Sequence, residues 1–178
     1  MRALRLAALA VASLGFASPA LADADDDWNR CNTTAIDPIT TDVQIAGCTA
    51  RINSGEERDA NLFIGYYNRA SAYYNKGDYD KALADYSQAL TLAPKSWLIY
   101  YDRAQVQYVA GNFRDALADA TKSAELNANW APALSLRGLI QEKLGAKDAA
   151  IADLRRAAAL DPALPQPIDA LRRMGIMR

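Results

Sequence analysis

The chain repeats itself every 34 residues, and a repeat of that length dictates the architecture before any single residue is interpreted. Segments 63–96, 97–130 and 131–164 align without gaps. Ala70, Ala104 and Gly138 share the eighth position of the unit, Gly77, Gly111 and Gly145 the fifteenth, and Ala82, Ala116 and Ala150 the twentieth. Further on, Tyr86, Ala120 and Leu154 align, then Ala89, Ser123 and Ala157, then Pro94, Ala128 and Pro162. Small residues at positions eight and twenty suit two helices that cross closely, since a large side chain there would push them apart. The glycine between them ends the first helix in the left-handed conformation that a Cβ resists. Asp78 and Asn112 follow and are placed to cap the second helix, whereas Ala146 has no side-chain oxygen to offer. Pro94 and Pro162 stop the second helix; Ala128 weakens that signal in the middle unit. Apolar residues recur at helical spacing inside each half, as in Ala82, Leu83, Tyr86, Ala89 and Leu90. The fold class predicted is all-α, an α-solenoid of three helix-turn-helix units, because one unit alone cannot bury its own faces.

The stretch Asn68-Arg69-Ala70 through Tyr73-Tyr74-Asn75-Lys76-Gly77-Asp78-Tyr79-Asp80-Lys81-Ala82 closely resembles the tetratricopeptide repeat (TPR) consensus. Gly145 through Ala150, and on to Leu160-Asp161-Pro162, does so again. The middle unit departs most, with Gln107, Ser123 and Ala128 where the family favours Tyr, Ala and Pro. Three units are near the minimum for a stable stack, and the ends need covers. Residues 165–178, with Ile168, Leu171 and Met174 on one side and Asp169, Arg172 and Arg173 on the other, predict a C-terminal capping helix. Residues 42–53 predict a leading helix whose packing face holds Val43, Ile45, Ala46, Thr49 and Ile52, set against a helix over about 58–76.

The N-terminus reads as a secretory signal over residues 1–22: Arg2 and Arg5, an apolar stretch from Leu6 to Ala17, and an Ala-x-Ala end that predicts cleavage after Ala22. The apolar stretch is short for a bilayer span of about 20 residues. Export and the signal's composition suit the periplasm of a Gram-negative bacterium, with no stable membrane insertion of the mature chain. Cleavage would leave 18 basic against 21 acidic residues, a net charge of −3. Asp23, Asp25, Asp26 and Asp27 then read as a solvated, mobile tail. The absence of a basic stripe argues against nucleic-acid binding. In an oxidising compartment the only two cysteines, Cys31 and Cys48, predict a disulfide that ties a loose N-terminal segment to the leading helix. Ile45-Ala46-Gly47-Cys48 imitates a lipoprotein box, but no apolar stretch precedes it.

Two charged sets keep the repeat. Arg69, Arg103 and Arg137 recur at the seventh position and Asp85, Asp119 and Asp153 at the twenty-third. Charges near helix interfaces need partners, so the two sets predict an ion-pair ladder along the array. The resemblance implies that ligands lie in a concave groove lined by the first helices. The matching residues here are Tyr67, Ser71, Tyr74, Asn75, Tyr101, Gln105, Tyr108 and Ser135, with Ile64, Leu98, Val109, Pro132, Leu139, Glu142 and Lys143 around them. Tyr67, Tyr74, Tyr101 and Tyr108 form a stripe, and tyrosine combines rigid contact area with a polar tip. A branch of the family clamps the C-terminal carboxylate of chaperone tails with Lys, Asn and Arg. The fifth position here holds Tyr67, Tyr101 and Ser135 without a Lys, so the expected ligand is an extended or helical peptide bound by aromatic and amide contacts.

Catalysis lacks its parts. The chain contains no histidine, each repeat glycine stands alone rather than in a phosphate loop, and the cysteines are not a Cys-x-x-Cys pair. Two cysteines without histidine cannot complete a zinc shell, so no metal or other cofactor is expected. The function expected is a non-catalytic periplasmic scaffold or adaptor for an unidentified protein or peptide. The alternative is a self-associating structural subunit of an envelope complex, through weak homo-association.

Overall fold

A computed structural model of the chain describes residues 19–33, 38–55 and 59–177. The expected signal lies mostly outside the described residues. The described residues fold entirely as α-helices, joined by turns. The three repeats supply the pairs α3 (Asp59–Lys76) with α4 (Tyr79–Leu92), α5 (Trp97–Val109) with α6 (Phe113–Leu126), and α7 (Ala131–Lys143) with α8 (Lys147–Leu160). Within a unit the two helices lie antiparallel, and the second helix also packs on the first helix of the next unit. The chain therefore forms a stack of nearest neighbours.

The repeated small residues mark the crossings. Ala70, Ala82, Ala104, Ala116 and Ala150 are fully buried. A Cβ on Gly138 would stand 2.8 Å from Leu154 Cγ, so the missing side chain on α7 leaves room for the larger one on α8. Gly77, Gly111 and Gly145 have φ of +80°, +83° and +79°. Each lets the next residue's N–H reach back to the first helix, with Asp78 to the Tyr73 carbonyl at 2.9 Å, Asn112 to Gln107 at 2.8 Å and Ala146 to Gln141 at 2.9 Å. That backbone turn makes the expected side-chain cap of Asn112 dispensable. Asp78 accepts from the Lys81 N–H, but Asn112 forms no such bond, and α6 starts as α8 does after Ala146. Lack of proline at Ala128 also has no effect on where α6 stops. α4, α6 and α8 all end at the same register, and Arg156 from α8 donates to the Ala128 carbonyl at 3.0 Å.

The N-terminal region departs from expectation. Pro19–Asn32 forms helix α1 and Pro38–Ser54 forms α2. The acidic run is helical, not a loose tail, and Arg30 pairs with Asp26 and Asp27 one turn away. The disulfide Cys31–Cys48 joins two helices, with both cysteines fully buried and their Cα atoms 4.5 Å apart. Gly47 explains the false lipoprotein box. A Cβ there would meet Arg30 Cβ at 2.5 Å and the Asp27 carbonyl oxygen at 2.9 Å, so α1 lies directly on α2 at this point. The buried face of α2 is Thr41, Gln44, Gly47 and Cys48, while Val43 and Ala46, assigned to that face from the sequence, are exposed. Arg51 stacks over Trp28 at 3.8 Å, closing the pair. Asn68 from α3 donates to the Cys31 carbonyl at 3.2 Å, and Gln44 from α2 donates to it at 3.3 Å. Thus α1 and α2 stand where a unit before the first repeat would stand.

At the other end, α9 (Pro165–Arg173) covers the last repeat. Ala170 and Leu171 are fully buried against Leu154, with Leu139, Ile151, Met174 and Ile176 packed around them. Gln166, Asp169 and Arg173 follow Pro132, Ser135 and Leu139 by 34 residues each. The capping helix keeps the register of the first helix of a fourth unit.

Candidate functional site

The charged sets meet across each unit. Arg69 donates to Asp85 through Nε at 2.6 Å and Nη2 at 2.8 Å, Arg103 to Asp119 at 2.7 and 2.8 Å, and Arg137 to Asp153 at 2.7 Å through both. Every pair joins the two helices of one unit rather than running from unit to unit, because the sixteen-residue spacing spans the hairpin. Coupling between units comes from the remaining nitrogen: Arg69 Nη1 reaches Thr49 on α2 at 3.1 Å, and Arg103 Nη1 reaches Ser87 on α4 at 3.0 Å. The hydrogen bonds to the carboxylates raise each guanidinium pKa above its ordinary value. Bidentate and largely buried, these pairs offer no free charge to a ligand.

The groove residues divide into two groups. In the first repeat, Tyr67 packs edge-on against the buried Tyr86, whose hydroxyl meets Ser71 Oγ at 2.9 Å. Tyr74 packs on Tyr79, and Tyr108 repeats the arrangement on Phe113. Those two rings brace the bends of their own units as well as lining the groove. Asn75 is exposed at the end of α3. In the second and third repeats, Tyr101, Gln105 and Ser135 come together with Leu139, Leu164 and Gln166 around a cavity of about 200 Å³. Gln105 Nε2 donates to the Tyr101 hydroxyl at 3.0 Å, and the Tyr101 ring also packs on Trp130. Ser135 is almost fully buried, and its hydroxyl has no hydrogen-bond partner among the described residues. A second, wider cavity adjoins it, bordered by Tyr108, Leu139, Glu142, Lys143, Asp169 and Arg173. Arg173 donates to Glu142 at 2.6 Å and so ties α9 to the groove floor.

One residue that sequence reasoning passed over stands at the centre. Asp102, on α5, accepts a hydrogen bond from the Tyr67 hydroxyl at 2.7 Å. Burial pushes its carboxyl up to about 6, against the pull of that bond. Burial first, and the Asp102 charge next, raise the Tyr67 and Tyr86 phenols well above their ordinary value and Tyr101 to about 12. The three units place Asn68, Asp102 and Leu136 at this position, so the signal was a lone charge beside the tyrosine stripe. Asp169 and Arg173 read from the sequence only as the polar face of the capping helix, and Gln166 carried no signal, because the groove register ends at residue 164 in the aligned repeats. Among the described residues no cluster of three or more His, Cys, Asp or Glu side chains could hold a metal ion, and no helix is long and apolar enough to cross a membrane.

Two family models, each described as Tetratricopeptide repeat, match residues 63–96 and 101–165, together more than half of the chain. The chain belongs to the tetratricopeptide repeat family. No curated protein matches it in sequence. Among solved structures, the TPR fold here is similar to MamA residues 41-end from Desulfovibrio magneticus RS-1, at 18% identity and a TM-score of 0.75, covering 86% of this chain and 84% of that one. It is also similar to the first TPR of Spaghetti (RPAP3) bound to the HSP90 peptide SRMEEVD, at 23% identity and a TM-score of 0.64, covering 68% of this chain and 96% of that one. A third is the second TPR domain of human RPAP3 in complex with the HSP70 peptide SGPTIEEVD, at 20% identity and a TM-score of 0.63, covering 66% of this chain and 98% of that one. These TPR structures share the stacked helical hairpins with this chain.

Proposed function

We propose that this TPR chain is a periplasmic adaptor that holds a segment of another protein in its concave groove, without catalysing a reaction. The observation that carries the proposal is the groove floor itself. Tyr67 and Tyr101 stand half-buried on successive first helices, and Tyr101, Gln105 and Ser135 line a cavity of about 200 Å³ between the second and third repeats. Rigid aromatic walls with a few placed polar groups are the usual make-up of a recognition site. The peptide complexes of RPAP3 support the same use of the fold. The signal-like N-terminus and the Cys31–Cys48 disulfide support the compartment.

Exposed Leu160 and Met177 near the C-terminal end favour a second reading, in which copies of the chain associate. Capture from periplasmic extract on the immobilised protein separates the two. The control is a Tyr67→Ala, Tyr101→Ala variant whose helicity is verified by circular dichroism. A protein retained by the native chain and lost by the folded variant is expected. Equal retention by both would move the site off the groove, and retention of the chain itself alone would favour self-association.

A further inference from the structure

We infer that the groove selects a peptide carrying a lysine or arginine, whose cationic head lies over Asp102 between Tyr67 and Tyr101. The inference rests on the groove reading above and adds the chemistry of its ligand. A carboxylate withdrawn from water needs a cation or several donors. Asp85, Asp119 and Asp153 each receive two N–H bonds from an arginine. Asp102 is held differently, by one neutral phenol and no Lys or Arg among the described residues. Among the described residues no second donor is recorded on its remaining lone pairs. Charge complementarity points the same way along the groove. The first two repeats place no Lys or Arg at the groove positions, and Tyr67, Tyr74 and Tyr101 present π-systems there, which attract cations. Lys143 and Arg173 stand only at the far end, where Arg173 is paired with Glu142.

The same geometry argues against the acidic peptides SRMEEVD and SGPTIEEVD with which the RPAP3 domains were solved. An acidic tail would bring its carboxylates against Asp102 with no lysine to receive them. The upward shift of the Asp102 carboxyl is the mark of a charge short of partners, and a bound cation would reverse it. Tyr101 flanks Asp102 in the chain and also lines the 200 Å³ cavity, so the residue beside the basic one would enter that cavity.

The test is selection from a displayed library of random dodecapeptides by the intact, disulfide-bonded protein at neutral pH and low ionic strength, repeated with Asp102→Asn. This variant keeps an acceptor for Tyr67 and removes only the charge. The native chain is expected to enrich Lys or Arg at one position roughly tenfold over Leu or Met, the range of a charge-assisted hydrogen bond, and the variant to lose that preference while keeping the others. Enrichment of aromatic or apolar residues with no basic position, or a basic preference unchanged in the variant, would overturn the inference and leave the groove reading standing. Enrichment of Asp or Glu would overturn it too. Failure of the native chain to select any sequence would sink both.

Discussion

Asp102 and the three arginine-bound aspartates show two ways of keeping a carboxylate away from water, and the two respond oppositely to change. The folded state binds the Asp102 proton more tightly than an unfolded chain would, because burial raises the carboxyl from 3.8 to about 6. Ionisation of Asp102 therefore costs stability as pH rises from about 4 to 6, and the cost is complete above about 6. Asp102→Asn is expected to stabilise the chain by up to about 3 kcal/mol at neutral pH and by well under about 1 kcal/mol near pH 4. Urea unfolding of both proteins at the two pH values measures this; an equal gain at both would exclude ionisation as the cause. Arg103→Leu should act the other way. It leaves Asp119 buried without its fork and removes the bond to Ser87, for a loss of about 3 to 5 kcal/mol. Adding Asp119→Leu should restore most of that loss, and a double-mutant cycle reads the coupling. The Arg–Asp partnership was legible in the sequence because both residue types recur in phase. Asp102 was not, because a charge that appears in one unit leaves no periodic trace.

Among the helices, α3 to α8 were legible from their small residues, glycines and prolines, whereas α1 and the inner face of α2 were hidden for a physical reason. Both signals depend on apolar periodicity, and the α1–α2 contact uses little of it. It is made by a glycine, a disulfide and an Arg51–Trp28 stack, with Thr41 and Gln44 facing inward. A search for an apolar stripe therefore selected Val43 and Ala46, which point to solvent. Gly47 and Gly65 give a matched pair of tests. A Cβ at Gly47 collides with the α1 backbone, which cannot step aside, while at Gly65 it meets only the Ile52 side chain at 3.3 Å. Gly47→Ala is expected to destabilise by about 1 to 3 kcal/mol and Gly65→Ala by much less, as read from thermal melts. Reduction of Cys31–Cys48 should lower stability by about 3 kcal/mol, the loop-closure value for a bridge of this span. Melts with and without dithiothreitol would measure it, and an unchanged transition would mean that the helix contact alone holds α1.

Across the whole molecule, the two ends solve one problem in different ways. A stack of hairpins leaves an apolar face at each end that must be covered. Before the first repeat stands a covalently pinned pair, α1 and α2, and the last repeat is covered by the single helix α9. Because α9 keeps the repeat register, covering the end also extends the groove, with Gln166, Asp169 and Arg173 taking the places that Pro132, Ser135 and Leu139 occupy one unit earlier. If the groove binds as proposed, stability and ligand binding are joined at this end, and Leu171 tests the joint. It is fully buried against Leu154 but lines neither cavity. Leu171→Ala is expected to cost about 2 to 5 kcal/mol locally. In a nearest-neighbour stack the loss should appear as faster amide hydrogen exchange in α7, α8 and α9, with α3 and α4 nearly unchanged. If α9 is only a lid, peptide binding at the Tyr67 end of the groove would survive in the variant. If α9 is the last wall of the site, preference for the residue entering the 200 Å³ cavity should weaken while any preference at Asp102 remains. Uniform acceleration of exchange through all the helices would instead mean that the array unfolds as one cooperative unit, with α9 holding every repeat and not just the last.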